Sequence, residues 1–294
     1  MTDPIRIFDR SLLRQRRDRA ALGLAEHDFL FRETAERLAD RLDDITRSFP
    51  LALDLGCHGG ELGQVLAQDR RVRGGIETLI SCDLSPRMLA LGSGTRLAAD
   101  EEALPFAEGR FDAVLSNMSL HWVNDLPGAL VQARRLLKPD GLFLANFAGG
   151  ATLHELRRSL AEAEEEVEGG VSPRVSPFAD VRDAGNLLQR AGFTLPVADS
   201  ETLTVSYADP LRLMADLRGM GESNAVAERR RRPLRRQTLM TAAARYVDLF
   251  GDENGRVPAT FELITLTAWA PDPSQQQPMA PGSGAVSLGD VFNE

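Results

Sequence analysis

The apolar positions of this chain change period as it advances, and each change marks an element. Between residues 26 and 49, Phe31, Ala35, Leu38, Leu42 and Ile45 recur every three or four positions, the spacing of one buried helix face, so the first fifty residues read as helical. At 51–63 the chain runs Leu-Ala-Leu-Asp-Leu-Gly-Cys-His-Gly-Gly-Glu-Leu-Gly, and an apolar pattern resumes at Leu62, Val65 and Leu66. Strand, tight turn and helix are expected there. Further strands are expected at 78–83, 95–99, 111–117 and 142–147. Ser85 and Pro86 open a helix through Met88, Leu89 and Leu91. Another, on Leu126, Ala129, Leu130, Ala133, Leu136 and Leu137, is capped by Asp125 and stopped at Lys138-Pro139-Asp140-Gly141. Strands alternating with helices pack most economically as a mostly parallel sheet with crossover helices, a doubly wound α/β fold.

Thr152 and Glu155 have capping-box spacing ahead of a helix on Leu153, Leu156, Leu160, Ala163 and Val167. A helix near 180–191 and strands at 203–206 and 261–269 follow. Residues 209–258 are too long for a simple connection and predict a helical cap over the sheet edge. Residues 271–294, rich in Pro, Gln, Gly and Ser, read as a disordered tail. The expected organisation is an N-terminal helical lid over 1–50, an α/β domain over 51–270 with the cap inserted, and the tail.

Composition narrows the class. A net charge of −9 over 294 residues argues against a general nucleic-acid binder. No run approaches the length of a membrane span, and no secretory signal is present. Two cysteines, Cys57 and Cys82 at neighbouring strand ends, point to a reducing compartment rather than a disulfide. The arginines within 14–19, interrupted by acids at Asp9 and Asp18, read as a solvated face rather than a targeting or nucleic-acid arm. Six arginines at 229–236 read as a solvated helix face too, with docking to an acidic partner protein or an anionic membrane surface left open.

The candidate chemistry begins at the glycine turn. Gly56 and Gly60 stand where the chain needs positive φ and where a ligand needs bare backbone, ahead of a helix N-terminus with free N–H groups. The spacing resembles the first motif of class I S-adenosyl-L-methionine methyltransferases, with His58 in place of the middle glycine. No register gives the Gly-x-Gly-x-x-Gly of a nicotinamide turn. Asp54 favours the sulfonium cofactor, whose cationic groups an acid attracts, over a pyrophosphate. Asp83, followed by Leu84, ends the second strand where an acid accepts from both ribose hydroxyls. Asp100, with Glu101 beside it, resembles the residue that accepts from the adenine amino group. Ser116, Asn117, His121 and Trp122 lie at or after the end of the fourth strand, where open α/β sheets build their sites. His121 suits proton handling and Trp122 stacking or a cation–π contact, against the alternative that both pack beneath the cofactor. No metal-ligand spacing and no Gly-x-Ser-x-Gly elbow is present, so no metal is assigned.

A sharper resemblance rests on five blocks: Ile7-Phe8-Asp9-Arg10; His121-Trp122 through Pro127; Gly149-Gly150-x-Thr152-Leu153-x-Glu155; Ser172-Pro173-Arg174-Val175-Ser176-Pro177-Phe178; and Gly219-Met220-Gly221-Glu222-Ser223-Asn224. Together they resemble the methyltransferase-fold assembly factors of mitochondrial respiratory complex I and their bacterial relatives. The resemblance implies a seven-stranded Rossmann-like methyltransferase sheet and a protein client, and hydroxylation of an arginine in a complex I iron–sulfur subunit. The His-Trp-x-x-Asp-x-Pro block is shared with the biotin-pathway methyltransferase of a malonyl carrier protein, which keeps methyl transfer to a carboxylate open. A non-catalytic assembly chaperone is the third reading. Little chain precedes Phe8 to hold a mitochondrial presequence, so a bacterial cytoplasmic protein is expected.

Overall fold

The structure is a computed structural model that describes residues 6–68 and 73–276. Among these residues seven strands form one sheet: β1 (Leu51–Leu55), β2 (Thr78–Asp83), β3 (Thr95–Ala98), β4 (Phe111–Asn117), β5 (Leu137–Ala148), β6 (Thr194–Tyr207) and β7 (Val257–Trp269). Their order is β3-β2-β1-β4-β5-β7-β6. β1 to β5 run parallel, and β7 and then β6 add antiparallel. The order reverses between β1 and β4, so the carboxyl ends of these strands flank the crevice where such sheets bind ligands.

Helices α1 (Arg10–Ala20), α2 (Phe29–Asp43) and α3 (Glu61–Gln68) precede β2, and the short α4 (Pro86–Leu89) follows it. Next come α5 (Leu126–Leu136), α6 (His154–Glu168), α7 (Val181–Arg190), α8 (Pro210–Gly219) and α9 (Arg236–Phe250). Leu38, Leu42, Leu62 and Val65 pack α2 and α3 on one face of the sheet, against Ala113, Leu115 and Leu144. Leu130, Leu136 and Leu188 pack α5 and α7 on the other, against Leu53, Val114 and Phe143. Covered on both faces, β1 and β4 are apolar nearly throughout, as central parallel strands must be. No helix among the described residues is long and apolar enough to cross a membrane.

Both predicted caps form: Ser85 Oγ accepts from the Met88 N–H at 3.1 Å, and Asp125 accepts from Gly128 at 2.9 Å. The capping box at Thr152 does not. Thr152 Oγ bonds the backbone of Glu262, and Glu155 bonds Thr260 on β7, so α6 starts at His154 after Leu153 in a left-handed conformation. α4 ends before Leu91, which is exposed. The strand expected at 203–206 is the tail of the far longer β6, and residues 209–258 hold α8 and α9. Of the predicted tail, residues 271–276 are described, and Gln275 bonds Asp140, Ala270 and Thr194; residues 277–294 lie outside the described residues.

The two arginine clusters are the main corrections. Arg17 is fully buried: Leu13, Arg17 and Ala20 share the inner face of α1, so 14–19 is not a solvated face throughout. The run at 229–235 is not helical, because α9 begins only at Arg236. Arg229 pairs with Asp9 at 3.1 Å, and Arg230 pairs with Glu168.

Candidate functional site

The glycine turn between β1 and α3 is built as the sequence demands. Gly56 (φ 73°) and Gly60 (φ 87°) occupy the left-handed region. A Cβ on Gly56 would lie 2.1 Å from Ser119 Oγ, and one on Gly60 3.2 Å from the Gly92 backbone. His58 also takes positive φ (49°) in place of a glycine. Its ring stacks on Phe31 at 4.1 Å, with Nε2 2.9 Å from the Met118 carbonyl, so Nε2 carries the proton that this acceptor requires. Burial, reinforced by Arg17, pushes its pKa down to about 4, and the ring is neutral.

Asp54 is fully buried, and neither of its oxygens has a partner. Burial, with Glu61 and Asp83 nearby, raises its pKa to about 8. Glu61 follows the same logic and is raised to about 7. Asp83 is as deeply buried but accepts three hydrogen bonds, from Arg17 at 3.0 Å, the His58 N–H at 3.1 Å and the Ser85 N–H at 2.7 Å. Leu84 beside it packs into the cluster of Phe8, Leu13 and Trp122. Glu101 accepts from Ser119 Oγ at 2.9 Å and pairs with Arg10, which also reaches Asp100 at 2.7 Å. Burial works against the charge on both arginines, yet the acids around them hold both guanidinium pKa values above normal.

The fourth-strand candidates divide. Ser116 Oγ donates to the Leu55 carbonyl at 2.7 Å, tying β4 to β1. Asn117 Nδ2 donates to the Phe31 carbonyl at 2.9 Å, and Asn146 does the same to Thr34 at 3.0 Å, so two amides fasten α2 to the sheet. His121 and Trp122 instead converge on a residue that the sequence reading carried only within a block. Glu222 Oε2 lies 2.9 Å from His121 Nε2 and accepts from Trp122 Nε1 at 2.6 Å. Burial opposes ionisation of Glu222, but the His121 hydrogen bond and Arg17 outweigh it and hold the carboxyl below its usual range. His121 Nδ1, the other ring nitrogen, is buried and has no hydrogen-bond partner.

His121, Trp122 and Glu222 line a cavity of about 1020 Å³. Its walls are apolar at Leu153, Leu156, Phe178, Met214 and Phe261 and basic at Arg16, Arg19, Arg174, Arg218 and the arginines of 229–232. Asp54, Asp83 and Glu101 do not line it. The acids at the strand ends therefore lie outside the cavity that the His121 pair lines.

The missed residues are Arg10, Arg17, Ser119 and Glu222. The i, i+4, i+7 spacing of Leu13, Arg17 and Ala20 is the signal that would have found Arg17.

Residues 53–145 match a family model described as a methyltransferase domain. The chain is 44% identical over 287 residues to the mitochondrial arginine-hydroxylase NDUFAF5 of Danio rerio, covering 97% of this chain and 89% of that protein. It is 36% identical over 289 residues to the malonyl-[acyl-carrier protein] O-methyltransferase of Halorhodospira halophila, covering 96% and 94%. Among solved structures it resembles the Haemonchus contortus phosphoethanolamine N-methyltransferase 2, determined with phosphomonomethylethanolamine and S-adenosylhomocysteine. That match has a TM-score of 0.55 and 15% identity, and covers 88% of this chain and 60% of the other.

Proposed function

The chain belongs to the family of the arginine-hydroxylase NDUFAF5, a methyltransferase-fold family, and on that footing we propose that it is an S-adenosylmethionine-dependent enzyme acting on a protein client: it modifies an arginine in an iron–sulfur subunit of respiratory complex I during assembly. The observation that carries this reading is the His121–Glu222 pair at the wall of a cavity at the upper end of the ~300–1,000 Å³ usual for small-molecule sites, with room for a client side chain. The two unpaired cysteines agree with a bacterial cytoplasmic setting.

The residues fit the cofactor in kind. Asp54 is an orphaned buried acid suited to its ammonium, the glycine turn supplies bare backbone, and Asp83 and Asp100 supply acceptors for ribose and adenine. When bound, S-adenosylmethionine supplies a methyl group on a sulfonium, an activated donor. The chain's own task is to orient the client beside it and exclude water. His121 serves as the base, Glu222 stabilises the imidazolium charge that results, and Trp122 holds the carboxylate in place. Hydroxylation replaces C–H by C–OH and draws on an oxidant as well; among the described residues no three His, Cys, Asp or Glu side chains are grouped to hold a metal ion.

A second reading, methyl transfer to a client carboxylate, draws on Arg231 and Arg232, exposed at the cavity rim. Complementation of a deletion strain separates the two, with client peptides weighed for a gain of oxygen or of methyl. His121→Ala and Glu222→Gln are expected to lower modification at least about 10²-fold with cofactor affinity held within a few-fold. Full complementation with neither mass gain leaves only a chaperone.

Since Arg229, Arg230 and Arg235 lie against acids, the exposed Arg231, Arg232 and Arg236 carry the rest of the charge of the run. Client binding is expected to weaken as salt rises past the ~8 Å screening length of physiological buffer. Serine in place of Arg231 and Arg232 should lower affinity and flatten that dependence; a salt-independent wild type would refute electrostatic docking.

A further inference from the structure

The acids at the carboxyl ends of β2 and β3 already hold cations, and those cations belong to the chain. Arg17, fully buried, pairs with Asp83 at 3.0 Å and Glu101 at 3.7 Å and donates to Ser119 Oγ at 3.3 Å. Arg10, two helical turns earlier on the same face of α1, pairs with Asp100 and Glu101. Asp83 accepts three hydrogen bonds, leaving about one of the roughly four acceptor sites of a carboxylate, too few for both hydroxyls of a ribose. Ser119 Oγ closes the bare face of Gly56. Each acid assigned to ribose or adenine is thus paired with an arginine of α1.

Resting on the cofactor reading above, the geometry points to α1 as a latch. Arg10 and Arg17 are internal competitors of S-adenosylmethionine, and the helix leaves the acids before the cofactor takes them. The fastening suits reversible opening. α1 spans 11 residues, short enough that an isolated helix is marginal in water. Besides the two arginines and the buried Leu13 and Ala20, it is held by a few contacts at and beyond its ends: Ser85 Oγ to Asp18 at 2.6 Å, Phe8 edge-on to Trp122 at 5.3 Å, and Arg16 to the Asn224 carbonyl. The last two join the latch to Trp122 and to the segment that carries Glu222, so opening at the cofactor side reaches the client side as well. α2 stays behind, fixed to the sheet by Asn117 and Asn146.

The test adds S-adenosylhomocysteine to the full chain and follows amide hydrogen exchange beside calorimetric affinity. In the wild type, amides of 10–20 are expected to exchange at least about tenfold faster when it binds. Arg10→Gln, which removes the less buried competitor, is expected to bind about tenfold more tightly, while Arg41→Gln, at the distant pair with Asp199, leaves affinity unchanged. Slower exchange in 10–20 with weaker binding by Arg10→Gln would show that α1 closes on the cofactor, and would overturn the latch. Binding with no change in 10–20 overturns the latch alone. No binding by wild type or Arg10→Gln overturns the latch and the cofactor reading together.

Discussion

Replacing Arg17 with Met is expected to destabilise the protein by roughly 3–5 kcal/mol, the usual cost of removing one partner from a buried ion pair. The side chains of Arg17, Asp83 and Glu101 are all inaccessible to solvent. Met fills much of the space but leaves Asp83 buried without its paired cation, while Glu101 keeps Arg10. The loss resides in the uncompensated charge rather than in the pair itself, so adding Asp83→Asn to Arg17→Met should recover part of it. Urea unfolding of the single and double variants reads both quantities. A single variant within about 1 kcal/mol of wild type would mean that Arg17 does not balance these acids.

The reverse is expected at Asp54, where a conservative change should stabilise. Burial raises the folded pKa to about 8 from an ordinary 3.8, above the unfolded value. Below the unfolded pKa both states hold the proton, and the contribution of Asp54 is fully present. Between the two values the folded state keeps a proton that the unfolded chain releases, so stability falls as pH rises, until the folded carboxyl ionises near 8. An amide at this position has no such proton to keep. Asp54→Asn is expected to gain on the order of 4 kcal/mol at pH 7 and to flatten the falling limb between about pH 4 and 8, the remaining slope coming in part from Glu61. Thermal unfolding across that range checks it; an unchanged slope would show that Asp54 titrates normally. The same variant should bind S-adenosylhomocysteine less well if Asp54 meets the ammonium as proposed.

What could be read in the sequence was local. β1 and β4 are continuous apolar runs because both faces are covered, and the Ser85 and Asp125 caps are satisfied within three residues. β6 was under-read because an edge strand alternates and carries Asp199, Ser200 and Glu201, which look like a loop until β7 pairs with them. Thr152 and Glu155 have the right spacing for a capping box, but partners on β7 compete for both side chains and win. The site divides the same way. Asp54 and Asp83 announce themselves at strand ends. The partner of Asp83 lies 66 positions away and that of Trp122 lies 100 away, and no periodicity within a segment reports such pairings.

The sheet is completed out of order. β5 borders β4 on one side, but on the other it waits for β7, which follows β6, α8 and α9 in the chain. During synthesis, β5 emerges long before the strand that covers its outer backbone edge, while its Phe143 and Phe147, fully buried in the finished protein, also await part of their packing. An open strand edge beside aromatic side chains is a template for pairing with another chain. Closing it requires contacts distant in sequence, which form slowly. The hazard for this protein therefore lies in the interval between the emergence of β5 and the arrival of β7, and chains truncated before residue 257 should aggregate through β5 even though every residue of the glycine turn is present.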